Sequence, residues 1–125
     1  MILITGGSFQ GKKDWAKEAF QLKDDDFFTC SEGTELDFSK KAVEHLEAFV
    51  LGCIREGKDA LTFFEEKKEA FQDKILIGDD IFSGVVPMEK ENRLWREEAG
   101  RLYVSLSKEA SEVYRVFLGI GKRLK

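Results

Sequence analysis

Apolar and polar positions run on two rhythms along this chain, and the first change of rhythm comes within twenty residues. Met1-Ile2-Leu3-Ile4-Thr5 is a short apolar, β-branched run that predicts a buried strand. Gly6-Gly7-Ser8-Phe9-Gln10-Gly11-Lys12-Lys13 follows as a glycine-rich turn, and Asp14 to Phe20 then carries apolar residues at helical spacing. After the polar turn Lys23-Asp24-Asp25-Asp26, Phe27-Phe28-Thr29-Cys30 reads as a brief strand. Asp37 is placed to cap a helix running to about Glu56, with Gly57 as its stop. On that helix Phe38, Ala42, Val43, Leu46, Phe49, Val50 and Cys53 would share one face, which should pack on a sheet. Asp59 opens a second helix reaching about Phe71, and Lys74-Ile75-Leu76-Ile77 is a buried strand ending in Gly78-Asp79-Asp80. Ile81 to Pro87 forms an apolar loop, Asn92 to about Ala110 a long helix, and Glu112 to Leu118 the last strand.

A chain of 125 residues makes one small domain with a real core. The alternation of strands and helices predicts an α/β fold, a mostly parallel sheet flanked by helices. A net charge of −4 argues against a nucleic-acid surface as the main business. Cys30 and Cys53 lack CxxC spacing, so free thiols in a reducing compartment are expected rather than a disulfide framework or a zinc site. The first residues carry no basic region and their apolar run stops at Gly6, unlike a secretory signal. No apolar stretch approaches the ~20 residues needed to span a bilayer, so a cytoplasmic protein with no membrane partner is expected.

Strand, glycine turn and helix in that order give a phosphate loop its meaning. Glycines let successive N–H groups point into one concavity, the helix start adds partial positive charge, and a lysine reaches the outer phosphates. Gly6, Gly11 and Lys12 stand at G-x-x-x-x-G-K spacing. A glycine-rich turn with a chance lysine is the plain alternative. The next position breaks the pattern, because Lys13 replaces the Ser or Thr whose hydroxyl ligates Mg²⁺. A second ammonium there could substitute for the metal's charge, or pair with Asp79 and fill the metal position. Asp79 and Asp80 follow a strand end, where open α/β sheets bind ligands, although acids also end strands simply to meet solvent. His45, the single histidine, lies at the margin of an apolar face, where half-buried packing is its ordinary role. Arg93 and Arg96 project together at i and i+3 and could clamp a phosphate, or serve salt bridges along an exposed face. Glu65 to Glu69 is a solvated charge run.

Taken together, Met1 to Gly7, Gly11-Lys12, Gly84-Val85-Val86-Pro87, Arg93-Leu94-Trp95-Arg96-Glu97-Glu98-Ala99-Gly100-Arg101, and Glu112 to Val116 with Gly119-Ile120-Gly121 resemble the bifunctional adenosylcobinamide kinase/adenosylcobinamide-phosphate guanylyltransferase family. The resemblance covers the first twenty residues and everything from about Lys74 onward. It implies a P-loop NTPase-like sheet, a role in cobalamin assembly, and an oligomer, either a trimer or a dimer. It also implies phosphorylation of a corrinoid hydroxyl from ATP or GTP, followed by GMP attachment through a guanylylated histidine. Carried over by position, Gly6, Gly7, Ser8, Phe9, Gln10, Gly11, Lys12 and Lys13 would hold the nucleotide, flanked by Arg93 and Arg96. Lys12 and Asp80 would be catalytic, with Asp80 in place of the family's glutamate. Asp79 would hold Mg²⁺, the ion that Lys13 puts in doubt. His45 is the one histidine available for guanylylation, but its neighbours lack the family's His-His-Lys surroundings. Tyr103 stands where many members have Asn.

Three readings follow from these residues. One is an enzyme transferring phosphoryl to a corrinoid alcohol. Another is a homologue that binds nucleotide or phosphate without turnover, and the last is an oligomeric structural protein using neither site.

Overall fold

The computed structural model describes residues 1–33, 35–81 and 89–125. The strands are β1 (Ile2–Gly6), β2 (Phe27–Thr29), β3 (Ala42–Glu44), β4 (Ile75–Asp79), β5 (Glu112–Phe117) and β6 (Ile120–Arg123). The helices are α1 (Lys12–Phe20), α2 (Leu46–Arg55), α3 (Ala60–Glu66), α4 (Lys68–Phe71) and α5 (Lys90–Glu109). The six strands form one sheet in the order β2-β3-β4-β1-β5-β6. All neighbours pair in parallel except β5 and β6, which are antiparallel. This small α/β architecture is consistent with a P-loop-like fold.

Alternation along the central strands divides the core into two layers. Ile2 and Ile4 of β1, Ile75 and Ile77 of β4 and Val116 of β5 face α1, meeting Ala16 and Leu22. Trp15, Phe20 and Tyr114 close this layer with tilted and edge-on ring contacts. Leu3, Val43, Leu76 and Val113 point the other way, into α2, α3 and α5. There Phe49, Phe63, Phe64 and Phe71 form an aromatic cluster beside Leu102 and Leu106. Because the parallel strands all end on one edge, the segments after β1, β3 and β4 converge there.

The expected helix from 38 to 56 is replaced by a strand and a shorter helix. Ala42-Val43-Glu44 is buried along its whole length, with β2 on one side and β4 on the other. A short run buried on both faces has no alternation, so periodicity cannot distinguish it from a helix. His45, at φ 60° and ψ 48°, turns the chain sharply from β3 into α2. Asp37 accordingly caps a turn instead of a helix, accepting the Ser39 N–H and hydroxyl. Asp59 does cap its helix, accepting the Leu61 N–H, but that helix breaks at Lys67 into α3 and α4. A sixth strand also follows the expected last one. Residues 82–88, and with them the Gly84-Val85-Val86-Pro87 block, lie outside the described residues. No helix among the described residues is long and apolar enough to cross a membrane.

Candidate functional site

The turn after β1 is shaped by its glycines and held from a distance. Gly11, at φ 85°, supplies the left-handed entry into α1, and a Cβ there would press on the Gly119 Cα at 3.3 Å. Gln10 is the anchor. Its carbonyl accepts the Gly119 N–H at 2.7 Å and its side-chain oxygen accepts the Leu118 N–H at 2.8 Å. The tip of the β5–β6 hairpin therefore sets the loop's position. Gly11 offers no side chain to cap the start of α1.

Lys12 is buried and doubly engaged. Its ammonium donates to the Gly7 carbonyl at 2.6 Å and lies 2.5 Å from Asp79 Oδ1. The other Asp79 oxygen accepts the Ser8 hydroxyl at 3.0 Å. The Asp79 backbone is equally fixed, its N–H on Glu47 Oε1 at 2.7 Å and its carbonyl on the Tyr103 hydroxyl at 2.9 Å. Tyr103 fits there because the neighbouring residue is Gly78, where a Cβ would come within 2.2 Å of the hydroxyl oxygen. Burial, reinforced by the charges of Glu47, Asp79 and Asp80, pushes the Tyr103 hydroxyl well above its ordinary pKa, so it stays a donor.

Lys13 does not pair with Asp79. Its ammonium lies 3.0 Å from Glu44 Oε2 and over the Phe27 ring, 4.9 Å from the centroid. Glu44, at the end of β3, is buried and also accepts the Thr29 hydroxyl at 2.9 Å. His45 stands beside it, with Nδ1 3.0 Å from Glu47 Oε2 and Nε2 3.5 Å from Glu44 Oε1. Ser8, Phe9, Gln10, Gly11, Lys12, Lys13, Asp14, Glu44, His45, Ile77 and Asp79 enclose a cavity of about 330 Å³. Phe9 and His45, both at its rim, hold left-handed backbone that non-glycine residues rarely adopt. Such strain persists only where surrounding structure imposes it.

The remaining predicted site residues lie elsewhere. Asp80 turns to Arg115, 2.5 Å away, and donates its N–H to the Gly6 carbonyl at 2.8 Å. Arg93 and Arg96 sit on α5, and neither lines the cavity. Its neighbour Trp95 reaches α2 instead, donating to the Glu47 carbonyl at 2.7 Å. Sequence periodicity does not single out Glu44, because β3 has the pattern of a helix face, and neither Thr29 nor Glu47 carries a motif of its own. The signal available was Ala42-Val43-Glu44, an apolar run ending in an acid like Ile77-Gly78-Asp79.

A comparison with protein-family models matches residues 54–124, more than half of the chain, to the family described as cobinamide kinase / cobinamide phosphate guanyltransferase. The chain belongs to that family. A search of the curated proteins finds no match. Membership ties this cobinamide kinase/guanyltransferase relative to a nucleotide-binding role in cobalamin biosynthesis. The matched segment runs from the end of α2 through β6 and carries Asp79, Asp80 and Tyr103. The glycine loop, Glu44 and His45 precede it.

The donor set can be tested against Mg²⁺. Two of the groups that hold the ion in P-loop enzymes are a hydroxyl after the loop lysine and an acid on a neighbouring strand. Here the first is an ammonium; of the acids ending β3 and β4, Glu44 gives Oε2 to that ammonium and to Thr29, and Asp79 is held by Lys12 and Ser8. Elsewhere among the described residues, His45, Glu47 and Asp79 offer ligand atoms within 4.8 Å of one another. A nitrogen in that set is foreign to Mg²⁺, which prefers an octahedron of oxygens. Lys12 also competes for Asp79. The residues present do not fit Mg²⁺.

Proposed function

We propose that the cavity binds the phosphates of ATP or GTP and that the chain transfers a phosphoryl group to a corrinoid side-chain hydroxyl. The observation that carries the proposal is Lys12, at the start of α1, with its ammonium against Asp79 at the end of the adjacent parallel strand. A polyphosphate entering between them meets the α1 N-terminus and offers Lys12 a stronger acceptor than the Gly7 carbonyl. Lys12, still paired with Asp79 Oδ1, turns its other donor from Gly7 to the developing charge on the transferred group, and Asp79 Oδ2 exchanges the Ser8 hydroxyl for the acceptor hydroxyl and takes its proton. The new O–P bond forms at that hydroxyl as the bond to the leaving diphosphate breaks. Asp80, held on Arg115, fixes the end of β4 next to this acid instead of facing the acceptor.

A second reading concerns guanylyl transfer. His45 lines the same cavity, and Glu47 on Nδ1 orients the ring as a nucleophile requires. Incubation with GTP labelled at its α-phosphate should then give an acid-labile adduct that His45→Ala abolishes. Self-association is expected through the β6 edge, where Phe117, Leu118 and Ile120 are exposed, and size-exclusion chromatography with light scattering reads it directly.

Turnover tests the main reading. Consumption of ATP or GTP should depend on added cobinamide and disappear in Lys12→Ala. Binding without consumption would leave a nucleotide-binding homologue without turnover. No binding at all would end the proposal.

A further inference from the structure

The two lysines that close the glycine loop are held by different acids, and the second of them stands where a P-loop site keeps its metal. Lys13 follows the loop lysine directly, at the position of the metal-binding hydroxyl, and pairs with Glu44 at the end of β3, the parallel strand beside β4. Two contacts locate the Lys13 ammonium, Glu44 Oε2 at 3.0 Å and the Phe27 ring beneath it, and Lys13 and Glu44 both line the cavity. An ammonium carries three donors, and Glu44 uses one face of it. Its side chain is 41% exposed, so the remaining donors can turn to an oxyanion in the cavity without breaking a deeply buried pair.

We infer that Lys13 is a built-in counter-cation, and that this chain binds nucleoside polyphosphates in their metal-free form. The inference rests on the nucleotide reading of the cavity and is independent of turnover. Mg²⁺ needs close oxygen ligands at about 2.0–2.1 Å in near-octahedral array. Glu44, the acid beside Lys13, already gives Oε2 to both the Lys13 ammonium and the Thr29 hydroxyl. A tethered ammonium supplies positive charge at the same place and asks for no octahedral shell of oxygens. It also makes the preferred ligand the free polyphosphate anion, because a bound Mg²⁺ would meet Lys13 at close range as a like charge.

Calorimetric titration of the full chain with GTP, ATP and inorganic tripolyphosphate, each with Mg²⁺ and with EDTA, tests this. The wild type should bind at least as tightly in EDTA. Lys13→Ser restores the hydroxyl and frees Glu44, and its affinity should fall about tenfold or more in EDTA and recover with Mg²⁺, the scale of one charge-assisted contact. Lys13→Arg keeps the charge and should stay indifferent to chelation. Equilibrium dialysis with Mn²⁺ and GTP gives a readout on the wild type that needs no variant: bound nucleotide should carry no stoichiometric Mn²⁺. Wild-type affinity that collapses on chelation, or one Mn²⁺ retained per bound GTP, overturns the inference and leaves the nucleotide reading standing. No titration heat under any condition overturns both.

Discussion

The ends of β3 and β4 lie side by side and each presents an acid to a lysine of the same loop, yet they are built differently. At β4 every polar group is spoken for: the Asp79 N–H on Glu47, its carbonyl on Tyr103, its carboxylate on Lys12 and Ser8. The side chains of Lys12 and Asp79 are only 7% and 14% exposed. At β3 the acid is as deeply buried, but its lysine lies 41% open to solvent and the chain turns away at once through His45. The contrast separates two roles that one ion pair could not combine. A buried pair fixes geometry and is costly to break, whereas a half-exposed pair contributes little to stability and can be redirected by a ligand.

The most severe way to break the contrast is Lys12→Ala, which leaves the Asp79 carboxylate, 14% exposed, with only the Ser8 hydroxyl. We expect a loss of about 3 kcal/mol in urea unfolding, the scale of removing one partner from a buried pair. Gly78→Ala should cost about 2 kcal/mol through overpacking against Tyr103. In a Tyr103→Asn background Gly78→Ala should cost little, so a double-mutant cycle over residues 78 and 103 should show strong coupling. Glu44→Gln should cost less than about 1 kcal/mol, because it weakens a half-exposed pair. If it proves as costly as Lys12→Ala, the two strand ends are not distinct.

The smallest effect is chemical. Burial, then the charges of Glu47 and Glu44, pushes the Cys30 thiol up to about 12, and burial pushes Cys53 up to about 11. Both lie above the unfolded value of about 8.5, so the protonated thiols contribute fully below that pH and the contribution is lost as pH rises through 11 and 12. Iodoacetamide at pH 8 should therefore label neither thiol until the chain unfolds, which mass spectrometry can follow.

Where side chains alternate or repeat, the sequence was transparent. Ile2, Leu3 and Ile4 send neighbouring side chains to opposite layers, Ile75 to Ile77 do the same, and α5 keeps Leu102 and Leu106 on one buried stripe. β3 was opaque for a physical reason: three residues between two strands carry no period, and Ala42 and Val43 also suit a helix face. β6 was opaque for the opposite reason, since Ile120-Gly121-Lys122-Arg123 is an exposed edge with little apolar signal. The site inherited both gaps. Lys12 and Asp79 could be brought together on paper from two strand ends, while the partner of Lys13 could not. Its acid sits on the strand that periodicity hid.

The glycine loop also depends on a distant stretch of chain. Gln10 is tethered by Leu118 and Gly119, more than a hundred residues downstream. During synthesis the first strand and its loop emerge early, but the clasp that holds them arrives only with the β5–β6 hairpin. Until that hairpin has left the ribosome and docked, the loop of a nascent chain lacks the hold it has in the finished fold. A protease cut between β5 and β6 would loosen the same clasp.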